Sequence, residues 1–335
     1  MNRLLNCINN KKTGDTPVWF MRQAGRYLPE FMKIRKQNTD FVKLCLNSDL
    51  AKEITIQPIK RFDLDAAIIF SDILMIPYGL GQNVSFKKGY GPRLDELQID
   101  ILTKVDNKTF TKNLKPVYET IKKVKKEIEK KSLIGFVGAP WTLFLYMVNK
   151  QSPKKNFNFN EITKNNVLTK RLYKKLEEII CVHIKNQVDA GANIIQIFDS
   201  WAGLLPENQL KDYCYEPTKK IVEFVKELNI PVICFPRGID KNYGDFCSSV
   251  KPDCISIDYE VDPNWIKKNI KTSVIQGGLD PKILLKNKEE IEKEVRKYLD
   301  IFREQPYIFN LGHGVLPETK PEIIKFVTSL VRKYK

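Results

Sequence analysis

The chain has 335 residues, 42% of them hydrophobic and 29% charged, the balance of an ordinary soluble protein. Its formal net charge is +16, yet the lysines of 112–131 and 282–297 alternate with Glu, the pattern of a solvated helix face and not of a nucleic-acid track. No apolar run reaches the ~18 residues of a membrane span, and MNRLLNCINNKK is neither a signal nor a transit peptide, so a cytoplasmic protein with no membrane or nucleic-acid partner is expected.

In chain order, eight apolar runs read as buried strands: 17–21, 66–71, 133–139, 192–198, 231–235, 254–258, 273–277 and 307–311. Helix-period stretches lie between them, at 110–131, 165–190, 206–228, 286–304 and 321–335. Ala190-Gly191 and Asn229-Ile230-Pro231 look like helix stops. Continuous apolar strands, each followed by a helix, predict a parallel sheet covered on both faces. Eight such units fit an α/β (β/α)8 TIM-type barrel, with residues 1–335 as a single catalytic domain. A doubly wound open sheet is the alternative. The stretches 77–95 and 149–160 read as loops carried on the barrel.

The first strand leads into an unusual sequence, PVWFMRQAGRYLPE, after the turn-like Thr13-Gly14-Asp15. Arg22 and Arg26 would share one face if this piece were helical, and Arg35 follows in the helix that Pro29 and Glu30 begin. Only 11 of the 56 basic residues are Arg, and three of the 11 fall within 14 positions. A solvated basic turn is the plain reading. An anion clamp is the sharper one, because guanidinium grips carboxylate or phosphate bidentately.

Seven cysteines form no CxxC pair and read as reduced thiols, and the two histidines have no zinc-ligand spacing. No P-loop, GxGxxG or GxSxG is present. In a barrel the chemistry sits where strands end, and there stand Asp72, Trp141, Ser200, Arg237, Tyr259, Asp280 and His313. Asp72 closes AAIIFS; it is either a helix N-cap or a functional carboxylate, and Pro77 leaves little helix to cap. Burial would raise its pKa and nearby arginines would lower it. Trp141 and Phe144 read as core, whereas Tyr146 could bring a hydroxyl to a pocket. Ser200, with no His near it in sequence, reads as a hydrogen-bond donor to substrate rather than a nucleophile. His313 lies between two glycines that let a ligand approach closely. His183, inside an amphipathic helix, reads as structural.

PVWFMRQAGRYLPE, IIFSDIL, GFVGAPWTLFLYMV, FDSWAG, QGGLDP and FNLGHGVLPET, in this order, resemble the uroporphyrinogen decarboxylase family across essentially the whole chain. The resemblance implies a (β/α)8 barrel, a homodimer, and removal of CO₂ from the four acetate arms of uroporphyrinogen III to give coproporphyrinogen III, with no cofactor and no metal. By position it implies a substrate-binding stretch of Arg22, Gln23, Ala24, Gly25 and Arg26. It adds Arg35, a central Asp72, and Tyr146, Ser200 and His313 to complete the pocket. Asp72 and Arg22 would carry the catalysis, and the sequence leaves the proton donor open, with Arg22 one option. Where the family often has a Gly-rich loop after YMV, this chain reads NKQSPKKNFNFN. Two rivals remain. A corrinoid-linked methyltransferase of the same superfamily needs a His-x-Cys zinc site, but His313 is followed by Gly314 and Val315. A non-catalytic porphyrin or nucleic-acid binder would need no Asp among the arginines.

Overall fold

The computed structural model describes residues 2–10, 15–87, 89–128, 130–153 and 157–334; Thr13 and Gly14 of the expected turn and 154–156 of the second loop lie outside them. The first strands are β1 (Ala66–Ile68), β2 (Val84–Lys87), β3 (Gly91–Leu94) and β4 (Ser132–Gly138). Then come β5 (Ile194–Asp199), β6 (Val232–Pro236), β7 (Cys254–Ile257), β8 (Val274–Gly277) and β9 (Tyr307–Ile308). Seven of these form one parallel sheet in the order β1-β4-β5-β6-β7-β8-β9.

The eighth position belongs to 17–21, between β9 and β1. Val18 makes a parallel bridge to Phe309, and the Phe309 N–H donates to Pro17 O at 2.8 Å. On the other side, the Asp65 N–H donates to Val18 O at 2.9 Å. This segment is a bridge and not a full strand because its ladder is partly replaced: the Val18 N–H donates to the Asp65 carboxylate at 2.7 Å. That carboxylate also takes Arg332 at 2.8 Å, from the helix Pro321–Lys333. The barrel thus closes across a seam held by a buried acid.

Side chains alternate across the sheet as strand geometry requires. Ala67, Leu133, Ile195, Ile197, Val232 and Cys234 face out and join the helices in one apolar cluster. Ala66, Ile68, Ile134, Ile194, Ile233, Cys254, Val274 and Trp19 face in and form a second cluster, which Leu4, Cys7 and Ile8 of the helix Arg3–Asn10 join beside the start of β9. Within this lumen Trp19 Nε1 donates to Gln276 Oε1 at 2.9 Å, and Gln276 Nε2 donates to Gln196 Oε1 (3.3 Å) and Ser256 Oγ (3.2 Å). Buried polar groups persist only when paired, and these pair across β5, β7 and β8. Phe136, Phe198 and Phe235 lie above them, ring to ring.

Three expectations change. The helix expected over 110–131 is two, Asn107–Asn113 and Lys115–Glu127, broken at Leu114 where Pro116 can start a helix but not continue one. The stretch 206–228 contains a π-turn, Lys211–Tyr215, before the α-helix Glu216–Glu227. Pro217 has no N–H for the Tyr213 carbonyl, which accepts from the Tyr173 hydroxyl at 3.4 Å instead. The stretch 77–95 is not only loop: β2 and β3 pair as an antiparallel hairpin. Lys150 and Gln151, at the start of the second expected loop, dock on this hairpin, with the Leu94 N–H donating to Lys150 O at 2.8 Å and Arg93 bridging Gln151. No helix among the described residues is long and apolar enough to cross a membrane.

Candidate active site

The segment after the seam strand is a turn and not a helix, so Arg22 and Arg26 do not sit one helical turn apart. Met21 is fixed from two sides: its N–H donates to Asn310 Oδ1 at 3.0 Å, and its carbonyl accepts from the Val315 N–H at 2.9 Å. Arg22 then adopts a left-handed backbone, φ 59°. For a side chain other than Gly this costs on the order of 1–3 kcal/mol, and such strain collects at functional positions. The arginine stem lies on Gly314, where an added Cβ would stand 2.4 Å from Arg22 Cδ; only glycine leaves that room.

Gln23 is fully buried below the turn. Its Oε1 accepts from the Phe20 N–H, its Nε2 donates to Ala66 O, and its carbonyl accepts from the Tyr27 hydroxyl at 2.7 Å. It binds the turn to β1 with both ends of its amide. Ala24 and Gly25 are half-buried in the bend, and Arg26 is exposed. Arg35 is drawn to the side, its guanidinium donating to Asn38 O and lying 5.8 Å from the Phe41 ring centroid.

Asp72 is half-buried beyond β1, and Oδ1 accepts from the Leu74 N–H at 2.9 Å, which closes a turn ahead of the next helix, whose N-cap is Leu74 and not Asp72. The helix that follows, Met75–Gly79, is five residues long. Burial pushes the Asp72 carboxyl up to about 6; the Leu74 hydrogen bond and the Arg22 charge oppose it. Burial wins, yet the group is mostly ionised at pH 7. Tyr146, on the helix Pro140–Asn149 after β4, feels the same pair. Its hydroxyl is pushed up chiefly by burial and also by Asp72, and pulled down by Ser152, Trp201 and Arg22, so it stays protonated at neutral pH.

His313 follows β9. Its Nδ1 accepts from the Gly314 N–H at 2.7 Å, which places the proton on Nε2. Burial first, then Arg22 and Arg237, bring its pKa down to about 4. It is therefore a neutral donor. Ser200 is half-buried on the turn after β5, whose flanks are locked: Thr142 Oγ1 donates to Asp199 at 2.6 Å and accepts from the Trp201 N–H at 3.1 Å. Trp141 and Phe144 are fully buried core, as read from the sequence. So is His183, whose Nδ1 meets the Tyr118 hydroxyl at 2.9 Å.

Electrostatics thus gather Arg22, Asp72, Tyr146 and His313 at the C-terminal mouth, with Ser200 on the same rim. Arg26 and Arg35 stand apart from that group. Arg237 joins it, a residue noted at a strand end but not picked for the site, because it sits in no recognised block. Among the described residues no three His, Cys, Asp or Glu side chains gather as a metal ion would need.

A family model described as uroporphyrinogen decarboxylase matches residues 1–334. A Rickettsia bellii protein named uroporphyrinogen decarboxylase is 45% identical over 327 residues, covering 95% of both chains. One of the same name from Wolbachia pipientis is 42% identical over 97% of this chain and 96% of its own. Among solved structures, a methyltransferase from Methanosarcina mazei superposes with TM-score 0.77 at 17% identity, covering 98% of this chain and 97% of that one. At that identity the likeness speaks for the barrel fold alone.

Proposed function

We infer the chemistry from one premise: the chain belongs to the uroporphyrinogen decarboxylase family. It decarboxylates the acetate arms of uroporphyrinogen III to methyl groups, giving coproporphyrinogen III in tetrapyrrole biosynthesis. The observation that carries the residue roles is a half-buried Asp72 that feels the charge of Arg22 at the barrel mouth.

A pyrrole can serve as its own electron sink. A proton added to the ring carbon next to the one that bears the acetate arm makes a cationic iminium conjugated, through the remaining ring double bond, to the arm-bearing carbon. The C–CO₂ bond then breaks and its electron pair flows into the ring, releasing CO₂. The exocyclic carbon next takes a proton to become methyl, and the ring carbon gives one up, so each cycle exchanges a carboxylate for a hydrogen. This needs no external electron sink, and the reaction is read as cofactor-free. Asp72 accepts from the pyrrole N–H groups, which become charge-assisted donors once the ring is cationic. Arg22 holds a carboxylate arm, with Arg26 and Arg35 giving positive charge further out. His313 donates from Nε2, and Tyr146 and Ser200 offer hydroxyls. Gln23, Ala24 and Gly25 shape the turn that presents Arg22. The family resemblance supports a cytoplasmic homodimer built from one catalytic barrel domain per chain.

Anaerobic incubation of EDTA-dialysed protein with uroporphyrinogen III, followed by oxidation and chromatography, tests this reading. A descending series from eight carboxylates to four is expected without added metal or cofactor. Unchanged octacarboxylate, or turnover only when zinc is restored, would contradict it.

A further inference from the structure

A macrocycle with eight carboxylates carries negative charge around its whole edge, whereas the arginine turn supplies cations from one side of the barrel only. Around the mouth the seam segment 17–21 comes first, then β1, β4, β5 and β6, so Arg22 and the end of β6 are four strands apart, on opposite sides of an eight-position ring. Arg237 is the residue that follows β6. Ile233 and Phe235 face the lumen, and Arg237 continues their alternation.

Its mounting is stiff. The Arg237 N–H donates to Asp199 O at 3.1 Å and its carbonyl accepts from the Gly203 N–H at 2.9 Å, tying it to the Ser200 turn. The next residue, Gly238, donates to Asp258 Oδ2 at 2.7 Å, and a side chain at 203 would strike the Gly238 carbonyl. The Arg237 side chain is half-buried, its Nε is buried with no hydrogen-bond partner, and no carboxylate among the described residues forms an ion pair with it. A buried guanidinium donor without a partner is costly unless a ligand supplies one.

We propose that Arg237 is a substrate-binding residue that takes a carboxylate arm of the macrocycle across the mouth from Arg22. This rests on the decarboxylase reading. The charge of Arg237 also reaches His313, where it adds to burial and Arg22 in holding that imidazole neutral.

The test uses Arg237→Gln and Arg237→Lys in the full-length protein. Fluorescence titration with oxidised uroporphyrin I reads octacarboxylate binding without turnover, and steady-state kinetics read KM and kcat. Arg237→Gln should weaken uroporphyrin binding and raise KM by about 10–100-fold while kcat stays within about threefold, the span of a lost charge-assisted contact. Arg237→Lys should recover part of the binding, because it keeps the charge but loses the fork. The chain has only two histidines, so a histidine NMR titration reads His313 directly, with His183 as the internal control. The His313 midpoint should rise in the Gln variant and less in the Lys variant. Wild-type binding and KM in Arg237→Gln, or an unmoved His313 midpoint, would overturn the proposal. Wild-type protein that binds uroporphyrin but releases no CO₂ would overturn the reaction alone, and the binding loss and His313 shift would still decide the role of Arg237.

Discussion

Arg22 shows what a side chain's identity conveys and what it hides. Three arginines in 14 positions predict an anion clamp, but the structure sends them to three places: Arg22 over the mouth, Arg26 into solvent, Arg35 onto Asn38 and Phe41. Nearness in sequence says nothing of where a long side chain ends. Asp72 and His313 were legible as candidates because each stands where an apolar run stops, the face on which a barrel carries its chemistry. The neutral state of His313 was not, since it depends first on burial in the folded barrel and then on Arg22 and Arg237, which other strands deliver. Nor was the left-handed backbone at Arg22, for no glycine flags it. That strain yields a prediction. Arg22→Gly and Arg22→Ala both delete the guanidinium and should both lose turnover, but the Gly variant should be the more stable by about 1 kcal/mol in urea unfolding. An Ala variant as stable as Gly, or more so, would mean the turn carries no strain.

Among the elements, the seam is the informative one. Residues 17–21 read as a strand from their apolar run, and the barrel does place them as its eighth position, but Asp65 interrupts the ladder. The carboxylate accepts from Val18 and pairs with Arg332, which also donates to Asp63 O at 2.7 Å and so fixes the last helix to the first strand. No local pattern announces a contact between residues 65 and 332. Asp65→Asn keeps an acceptor for Val18 but leaves Arg332 with only the exposed Asp63 carboxylate, at 3.1 Å, as its ionic partner. A loss of about 3 kcal/mol is expected, the low end for breaking a buried pair because Arg332 is 16% exposed. Urea midpoints with an unchanged m-value would show it; a loss under about 0.5 kcal/mol would place the closure in the backbone alone. The hairpin of β2 and β3 escaped the sequence reading because Gly81, Gly89 and Gly91 punctuate it as they would a loop, and all three have positive φ.

At the scale of the molecule, period and count sufficed for the barrel: eight apolar runs, eight positions around the lumen, helices outside. The inner polar layer of Trp19, Gln196, Ser256 and Gln276 was less accessible, because a glutamine inside an apolar run has a reason only once β5, β7 and β8 are side by side. The layer braces the lumen under Phe136 and Phe198, whose half-buried rings offer a macrocycle an apolar bed. A net charge of +16 draws an octa-anion toward the mouth. Within that field stands Asp72, whose proposed contact with the ring N–H groups would strengthen as the ring becomes cationic. A group that binds the high-energy state more tightly than the substrate raises kcat. With a pKa near 6, its ionised form and kcat/KM should both fall away as pH drops below that value. The direct measurement is kcat of Asp72→Asn, which keeps shape and one acceptor oxygen and removes the charge. A fall of at least ~10²–10³-fold, with folding intact and a smaller change in KM, is the predicted result. Near-normal kcat would contradict it and leave Asp72 as no more than a positioning group for the ring.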